Sequence, residues 1–295
     1  MSLEIRQSDP IWERLSCQGE VPSCRSGHSL TIIGRRAYLF GGCGPAKDGS
    51  ATIFEQLYCL DLTTLTWNLV LTSGPCPRGR RRHSANSTST NQMIVFGGEG
   101  KQEHSYETRR LNDCWLLEID SNQVSWKAIH PSDNHKDVDV AVPEPRCHHS
   151  SVVFNEGMWV FGGYGGPTIH TRSCLGDLWS LDLVSYIFRR PATQGRTPTA
   201  RAGHSASLVE GCLMLIAGGR DHASPLDDLH ILNLETLCWS WPAGHPSPAP
   251  PMTAPAFGHL AAAVDSAPAA KLFVFGGQTS RDGDRRSWTH AEQLR

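Results

Sequence analysis

The sequence predicts an all-β chain built from five copies of a four-stranded unit, and three observations carry that prediction. A short apolar run ending in paired glycine recurs five times. The copies are Tyr38-Leu39-Phe40-Gly41-Gly42, Ile94-Val95-Phe96-Gly97-Gly98, Trp159-Val160-Phe161-Gly162-Gly163, Leu215-Ile216-Ala217-Gly218-Gly219 and Phe273-Val274-Phe275-Gly276-Gly277. Their first glycines are 56, 65, 56 and 58 residues apart, a period that marks a repeat architecture. Upstream of each run stands Gly-His-Ser or a variant of it, and downstream come a strand of the Asp-Leu-Trp-x-Leu-Asp type and a strand carrying an aromatic residue. A sheet of four short strands cannot bury both faces by itself. Stacking the copies radially covers the faces and protects the edges, which is the β-propeller arrangement.

Bulk composition narrows the function classes. The chain has 295 residues, enough for a large core, and a formal net charge of −2. That balance offers no electrostatic case for nucleic acid or for an anionic membrane surface. No apolar run approaches the roughly 18–20 residues of a membrane span, and the polar start Met1-Ser2-Leu3-Glu4-Ile5-Arg6 shows no secretory h-region. Ten cysteines without a C-x-x-C pair read as free thiols in a reducing compartment. The expectation is a cytoplasmic protein, with the nucleus as the alternative address.

Taken in order, the segment Ile11-Trp12-Glu13-Arg14-Leu15 (within 10–15) precedes the first full repeat and has the look of an orphan fourth strand. Repeat one (22–70) runs from Pro22 and Arg25 through Gly27-His28-Ser29 to Leu57-Tyr58-Cys59-Leu60-Asp61 and Trp67. Repeat two (75–129) carries Pro77, Arg80, His83-Ser84, Asp113-Cys114-Trp115 and Trp126. Repeat three (143–190) carries Pro143, Arg146, His149-Ser150, Asp177-Leu178-Trp179, and Phe188 in the aromatic column. Repeat four (198–242) carries Pro198, Arg201, Gly203-His204-Ser205, Asp228-Leu229-His230 and Trp239. Repeat five (253–295) keeps Gly258-His259 and its glycine pair, has Ala256 in place of arginine, and lacks clear third and fourth strands. A five-bladed ring then needs the strand around Trp12 to complete the last blade, with a third strand from around Arg286-Ser287-Trp288-Thr289-His290. A piece of a six- or seven-bladed ring is the competing arrangement.

Pro-x-x-Arg-x-Gly-His-Ser, the strand ending in Gly-Gly, and Asp-Leu-Trp-x-Leu-Asp followed by tryptophan resemble the kelch repeat across nearly the whole chain. The resemblance implies a single kelch-type propeller of four antiparallel strands per blade over 1–295. It also implies a role in binding other proteins. In kelch-like ubiquitin-ligase adaptors, arginines at the Arg-x-Gly position contact an acidic peptide. This chain is similar at Arg25 and Arg201 and departs at Arg82 and His148, which replace the glycine.

The arginine column, Arg25, Arg80, Arg146 and Arg201, is therefore the first candidate for partner contact. Equivalent lead-in loops of a propeller ring its channel, and a guanidinium fork suits carboxylates. The competing role is to tie blades together through backbone carbonyls. The residues just after Gly-Gly, namely Cys43, Glu99, Tyr164, Arg220 and Gln278, begin a second set of mouth loops. Tyr164 and Arg220 are the expected contacts there, as an aromatic and an arginine are common interface anchors. The long polar loops 99–110 and 130–144 are further candidates for partner specificity.

No metal or cofactor is expected. One histidine per blade (His28, His83, His149, His204, His259) has the period of a structural hydrogen bond. In Cys147-His148-His149, consecutive strand residues point to alternate faces and do not converge on one ion. No catalytic residue is singled out, and G-x-S-x-G, H-E-x-x-H and G-x-x-x-x-G-K-[ST] are missing. Some kelch-type propellers are enzymes, among them copper-radical oxidases and iron-dependent specifier proteins. The Glu-x-x-x-Asp-x-x-x-His pattern of the latter does not occur here.

The sequence thus points to a non-catalytic interaction scaffold that binds a peptide or loop of another protein, acidic or C-terminal, on one face. Ubiquitin-ligase substrate adaptor and cytoskeletal or signalling scaffold are the roles that the resemblance suggests. An enzyme with its site at the channel mouth is the alternative. The sequence says nothing of oligomeric state.

Overall fold

Alternation of apolar and polar residues over five-residue windows, closed by Gly and Asx turns, folds this protein into short antiparallel strands. A computed structural model describes residues 15–46, 49–101, 107–121, 123–130, 141–166, 168–170, 173–241 and 258, together with the backbone of three later strands. Among them all regular structure is β.

Four sheets each run first strand to fourth from the inside out. Sheet one is Ser29–Ile33, Arg36–Phe40, Leu57–Asp61 and Thr66–Val70; sheet two is Ser84–Ser89, Gln92–Lys101, Thr108–Ile119 and Val124–Ile129. Sheet three is Ser150–Phe154, Gly157–Gly165, Ser173–Asp182 and Phe188–Arg189; sheet four is Ser205–Val209, Leu213–Ala217, Leu229–Asn233 and Cys238–Ser240. In sheets one and four a dipeptide, Gln18–Gly19 or Gln194–Gly195, adds in parallel to the outer strand. The fifth sheet comprises Leu260–Val264, Lys271–Phe275 and Thr289–Gln293. Its third strand thus begins at Thr289, within the stretch expected to supply it. The proposed fourth strand around Trp12 lies outside the described residues, as do Gly276-Gly277, His259 and Gln278.

First strands of successive sheets lie side by side from sheet one to sheet five, and apolar cores fill the wedges between sheets. Phe40 of sheet one meets Trp126 of sheet two, Phe96 meets Phe188, and Phe161 meets Trp239, with ring centroids 5.1, 5.6 and 5.5 Å apart. The aromatic column is therefore the filling of each wedge, and Phe188 serves as tryptophan does. Burying one such ring contributes on the order of 2–3 kcal/mol. This radial stacking makes the fold a β-propeller. Sheet one is more open on its flank away from sheet two: Leu30 and Ile32 are 55% and 60% exposed, and Trp67 is only half-buried.

Histidine ties neighbouring sheets. Nε2 of His83, His149 and His204 shares a hydrogen bond with the Oγ of Ser29, Ser84 and Ser150 of the preceding sheet, at 2.7–2.9 Å. Each ring also sits edge-on to the preceding phenylalanine. Burial pushes the His83 imidazole down to about 3 and His149 well below its usual range, so both stay neutral.

The glycine pairs correct one expectation. In sheets two and three they do not end the strand, which continues to Lys101 and Gly165 through a bulge. What they permit is close approach. A Cβ on Gly162 would lie 2.7 Å from the Arg201 carbonyl oxygen of the next sheet, and one on Gly163 would lie 2.7 Å from the Cys147 oxygen of its own sheet. Both have positive φ, 61° and 101°.

Candidate functional site: a cationic cavity at the propeller mouth

The arginine column was expected to converge on a ligand. The structure places three of its members inside the sheets. Arg80, Arg146 and Arg201 are at most 1% exposed. Each forks bidentately onto the aspartate of the third-strand segment in its own sheet. Arg80 holds Asp113 at 2.7 and 2.8 Å, Arg146 holds Asp177 at 2.8 and 2.9 Å, and Arg201 holds Asp228 at 2.5 and 2.8 Å. Each also donates to the carbonyl of the first glycine in the pair, Gly97, Gly162 or Gly218. Burial opposes ionisation of the three aspartates, but the guanidinium hydrogen bonds outweigh it and hold their carboxyls below the usual range. These arginines have no donor fork left for a partner; they brace the blade.

Arg25 differs because Gln56 stands where the other sheets have aspartate. It bonds the Gly41 carbonyl and Ser23 and lies over the Phe54 ring at 4.0 Å. It lines an open cavity of about 650 Å³ with Phe54, Tyr58 and Ile53. That cavity is on sheet one, away from the residues described next.

Tyr164 and Arg220, the two expected contacts after Gly-Gly, do come together. With Glu99, the corresponding residue of sheet two, they line a cavity of about 280 Å³ across sheets two, three and four. Arg81, Arg82, Arg110, His148 and Ile169 complete it. Four arginines and one glutamate line it. Glu99 is 4% exposed, and its Oε2 accepts from Arg81 Nε at 3.0 Å and Arg82 Nη1 at 3.1 Å. Its Oε1 accepts from the Cys147 thiol at 3.0 Å. Burial opposes charge on Glu99, yet the thiol and the two arginines keep it ionised, below its ordinary range. Cys147 responds in the opposite sense: burial, then the Glu99 charge, push its thiol up to about 12.

Arg110 is a buried strut. It donates to the carbonyls of Gly165 and Thr168 and to Cys147 Sγ, pinning the loop after Gly165 against the long third strand of sheet two. Burial and the neighbouring Arg82 charge push His148 down to about 3, so its imidazole is neutral. It stands edge-on to Tyr164 at 5.7 Å. With His148 neutral, the cavity holds a formal charge of +3, from four arginines and one glutamate. Cys43 sits at its edge, with Sγ 3.4 Å from Arg81 Nη1.

Sequence reasoning missed Arg81, held Arg110 only as the last residue of the candidate loop 99–110, and noted Arg82 and His148 only as breaks in the repeat. Those breaks were the available signal. Among the described residues no group of three or more His, Cys, Asp or Glu side chains is placed to hold a metal ion. Cys147, His148 and His149 diverge to Glu99, the cavity and Ser84. The outer parts of the loops 99–110 and 130–144 lie outside the described residues.

Fold and site define a β-propeller with a cationic cavity at one mouth. The family model of the KLHDC2/KLHL20/DRC7 Kelch-repeats domain matches residues 2–136 and 44–277, and the protein belongs to the kelch-repeat family. It is 33% identical over 283 residues to the dynein alpha chain of the flagellar outer arm of Chlamydomonas reinhardtii, covering 91% of this sequence and 6% of that protein. It is 28% identical over 242 residues to kelch domain-containing protein 3 of Bos taurus, covering 77% of this sequence and 60% of the relative. To Adagio-like protein 1 of rice (Oryza sativa subsp. japonica) it is 30% identical over 285 residues, covering 91% of this sequence and 41% of the relative. The sequence thus spans less than two thirds of each of these proteins. Kelch propellers of this family are protein-interaction modules.

Proposed function

We propose that this propeller is a non-catalytic interaction module that seats an anionic group of a partner protein, an acidic side chain or a C-terminal carboxylate, in the cavity between sheets two, three and four. The observation that carries this is the imbalance of charge. Arg81 and Arg82 pair with the single carboxylate of Glu99, and Arg110 and Arg220 line the same cavity; charge-assisted, forked hydrogen bonds are the strong ones. At about 280 Å³ the cavity is at the small end of ligand pockets, which run from roughly 300 to 1,000 Å³. It suits one or two residues of a peptide, with the surrounding loops reading the rest.

We place the protein in the cytoplasm or nucleus. All ten cysteines are free, which suits a reducing compartment. Its role in the cell, as a ubiquitin-ligase substrate adaptor or a cytoskeletal or signalling scaffold, follows from which partner fills the cavity.

The test is fluorescence anisotropy with a labelled tetraglutamate peptide bearing a free C-terminus and a tetralysine control. Tetraglutamate binding is expected, weakening as ionic strength rises from about 0.01 M to about 0.15 M and the screening length falls from roughly 30 to 8 Å. Equal response to the two peptides contradicts the proposal.

A further inference from the structure

Two of the cavity residues occupy positions that the repeat otherwise gives to glycine. The residue at this place is Gly27, Arg82, His148, Gly203 and Gly258 in successive repeats, with φ of 69°, 59°, 55°, 66° and 67°. The backbone is thus left-handed in every blade, whatever the side chain.

A series of backbone hydrogen bonds around the mouth holds it there. Arg82 N donates to Gly27 O at 2.7 Å, His148 N to Arg82 O at 3.0 Å, Gly203 N to His148 O at 2.8 Å, and Gly258 N to Gly203 O at 2.8 Å. Because these bonds bridge adjacent sheets, neither Arg82 nor His148 can leave the left-handed region without breaking two of them. A Cβ in that region meets the following carbonyl, a cost that glycine avoids. The two costly residues are in adjacent blades, and both line the cationic cavity. The glycine blades contribute nothing to it from this position.

Strain retained at one sector of an otherwise uniform ring points to use of the side chains. We propose, resting on the function given above, that Arg82 and His148 are the specificity-determining pair of the mouth and that they recognise a peptide carboxylate. Arg82 Nη1 is held by Glu99, which aims its planar fork at the cavity. His148 is neutral and edge-on to Tyr164. It forms the wall beside that fork without adding charge.

The proposal predicts that Gly and Ala variants behave in the reverse of their usual order. At an ordinary position alanine is the more stabilising of the two. Here Arg82→Gly should melt a few degrees above Arg82→Ala, and His148→Gly a few degrees above His148→Ala. Comparing the two substitutions at one position cancels the lost contacts with Glu99 and Tyr164. All four variants should bind the labelled tetraglutamate peptide at least tenfold more weakly than the unmodified protein. Wild-type affinity in the Gly variants overturns the proposal, as does an Ala variant that melts at or above its Gly counterpart. If the unmodified protein itself ignores tetraglutamate, the function proposed above fails first. The melting comparison still reports independently whether the two positions are strained.

Discussion

Two sets of arginines in this sequence do different work. Arg80, Arg146 and Arg201 recur at one register position, are sealed from water, and end on a carboxylate and a carbonyl of their own sheet. Arg81, Arg82 and Arg110 of sheet two and Arg220 of sheet four follow no shared column and line one cavity, where Arg81 and Arg82 share the carboxylate of Glu99. What repeats in this propeller is frame; what breaks the repeat is the candidate site. Arg25 marks the boundary between the sets. It belongs to the column, but Gln56 removes its counter-ion and leaves it half-buried over Phe54.

The comparison can be broken most forcefully with acid, which acts on the frame. His83 and His149 are held neutral by burial, far below the ordinary 6.5. A histidine with a depressed folded pKa contributes stability that is present above its unfolded value and lost as pH falls toward the folded one. The melting temperature should therefore fall continuously from about pH 6.5 to about pH 3. Below roughly pH 3.9 protonation of Asp113, Asp177 and Asp228 adds to the loss, since their depressed carboxyls stabilise the fold only while ionised. A flat melting temperature across that window in calorimetry would contradict the buried-histidine frame.

Next in size is Arg146→Ala, which leaves the Asp177 carboxylate, 14% exposed, without its fork. Breaking such a pair costs about 3–5 kcal/mol, or a melting shift of roughly 10 °C. A smaller loss of about 2 kcal/mol is expected for Gly162→Ala, because the new Cβ meets the Arg201 carbonyl at 2.7 Å in a left-handed backbone. Denaturant titration would register it as a lower midpoint at unchanged slope. Smallest for the fold is Arg220→Ala, a half-buried residue at the mouth. It should lower the melting temperature less than either of those substitutions while weakening tetraglutamate binding about tenfold, equivalent to about 1.4 kcal/mol.

The frame was legible in the sequence because each blade places the same residue type at the same register. The histidine period announced a shared structural bond, and the aromatic column announced the wedge filling, including Phe188. The aspartate partners of the arginine column were also visible, in Asp113, Asp177 and Asp228. Their pairing spans 27–33 residues across a sheet, so spacing alone did not join them to arginine. The site was legible only in part. Tyr164 and Arg220 follow Gly-Gly and could be placed at the mouth. Arg110 stood only at the end of the candidate loop 99–110; its buried place depends on the lengthened third strand of sheet two and its bond to the Gly165 carbonyl. Arg82 and His148 showed themselves only as missing glycines, a signal whose meaning depends on the left-handed backbone at that position.

The division of labour is tested most directly by measuring tetraglutamate affinity side by side in Arg201→Lys and Arg220→Ala. Arg201→Lys keeps a cation beside Asp228 but loses the fork. The account predicts the larger drop in melting temperature for Arg201→Lys, with wild-type affinity in the folded protein, and the smaller drop with at least tenfold weaker binding for Arg220→Ala. The reverse pattern, with affinity following Arg201 and stability following Arg220, would contradict it.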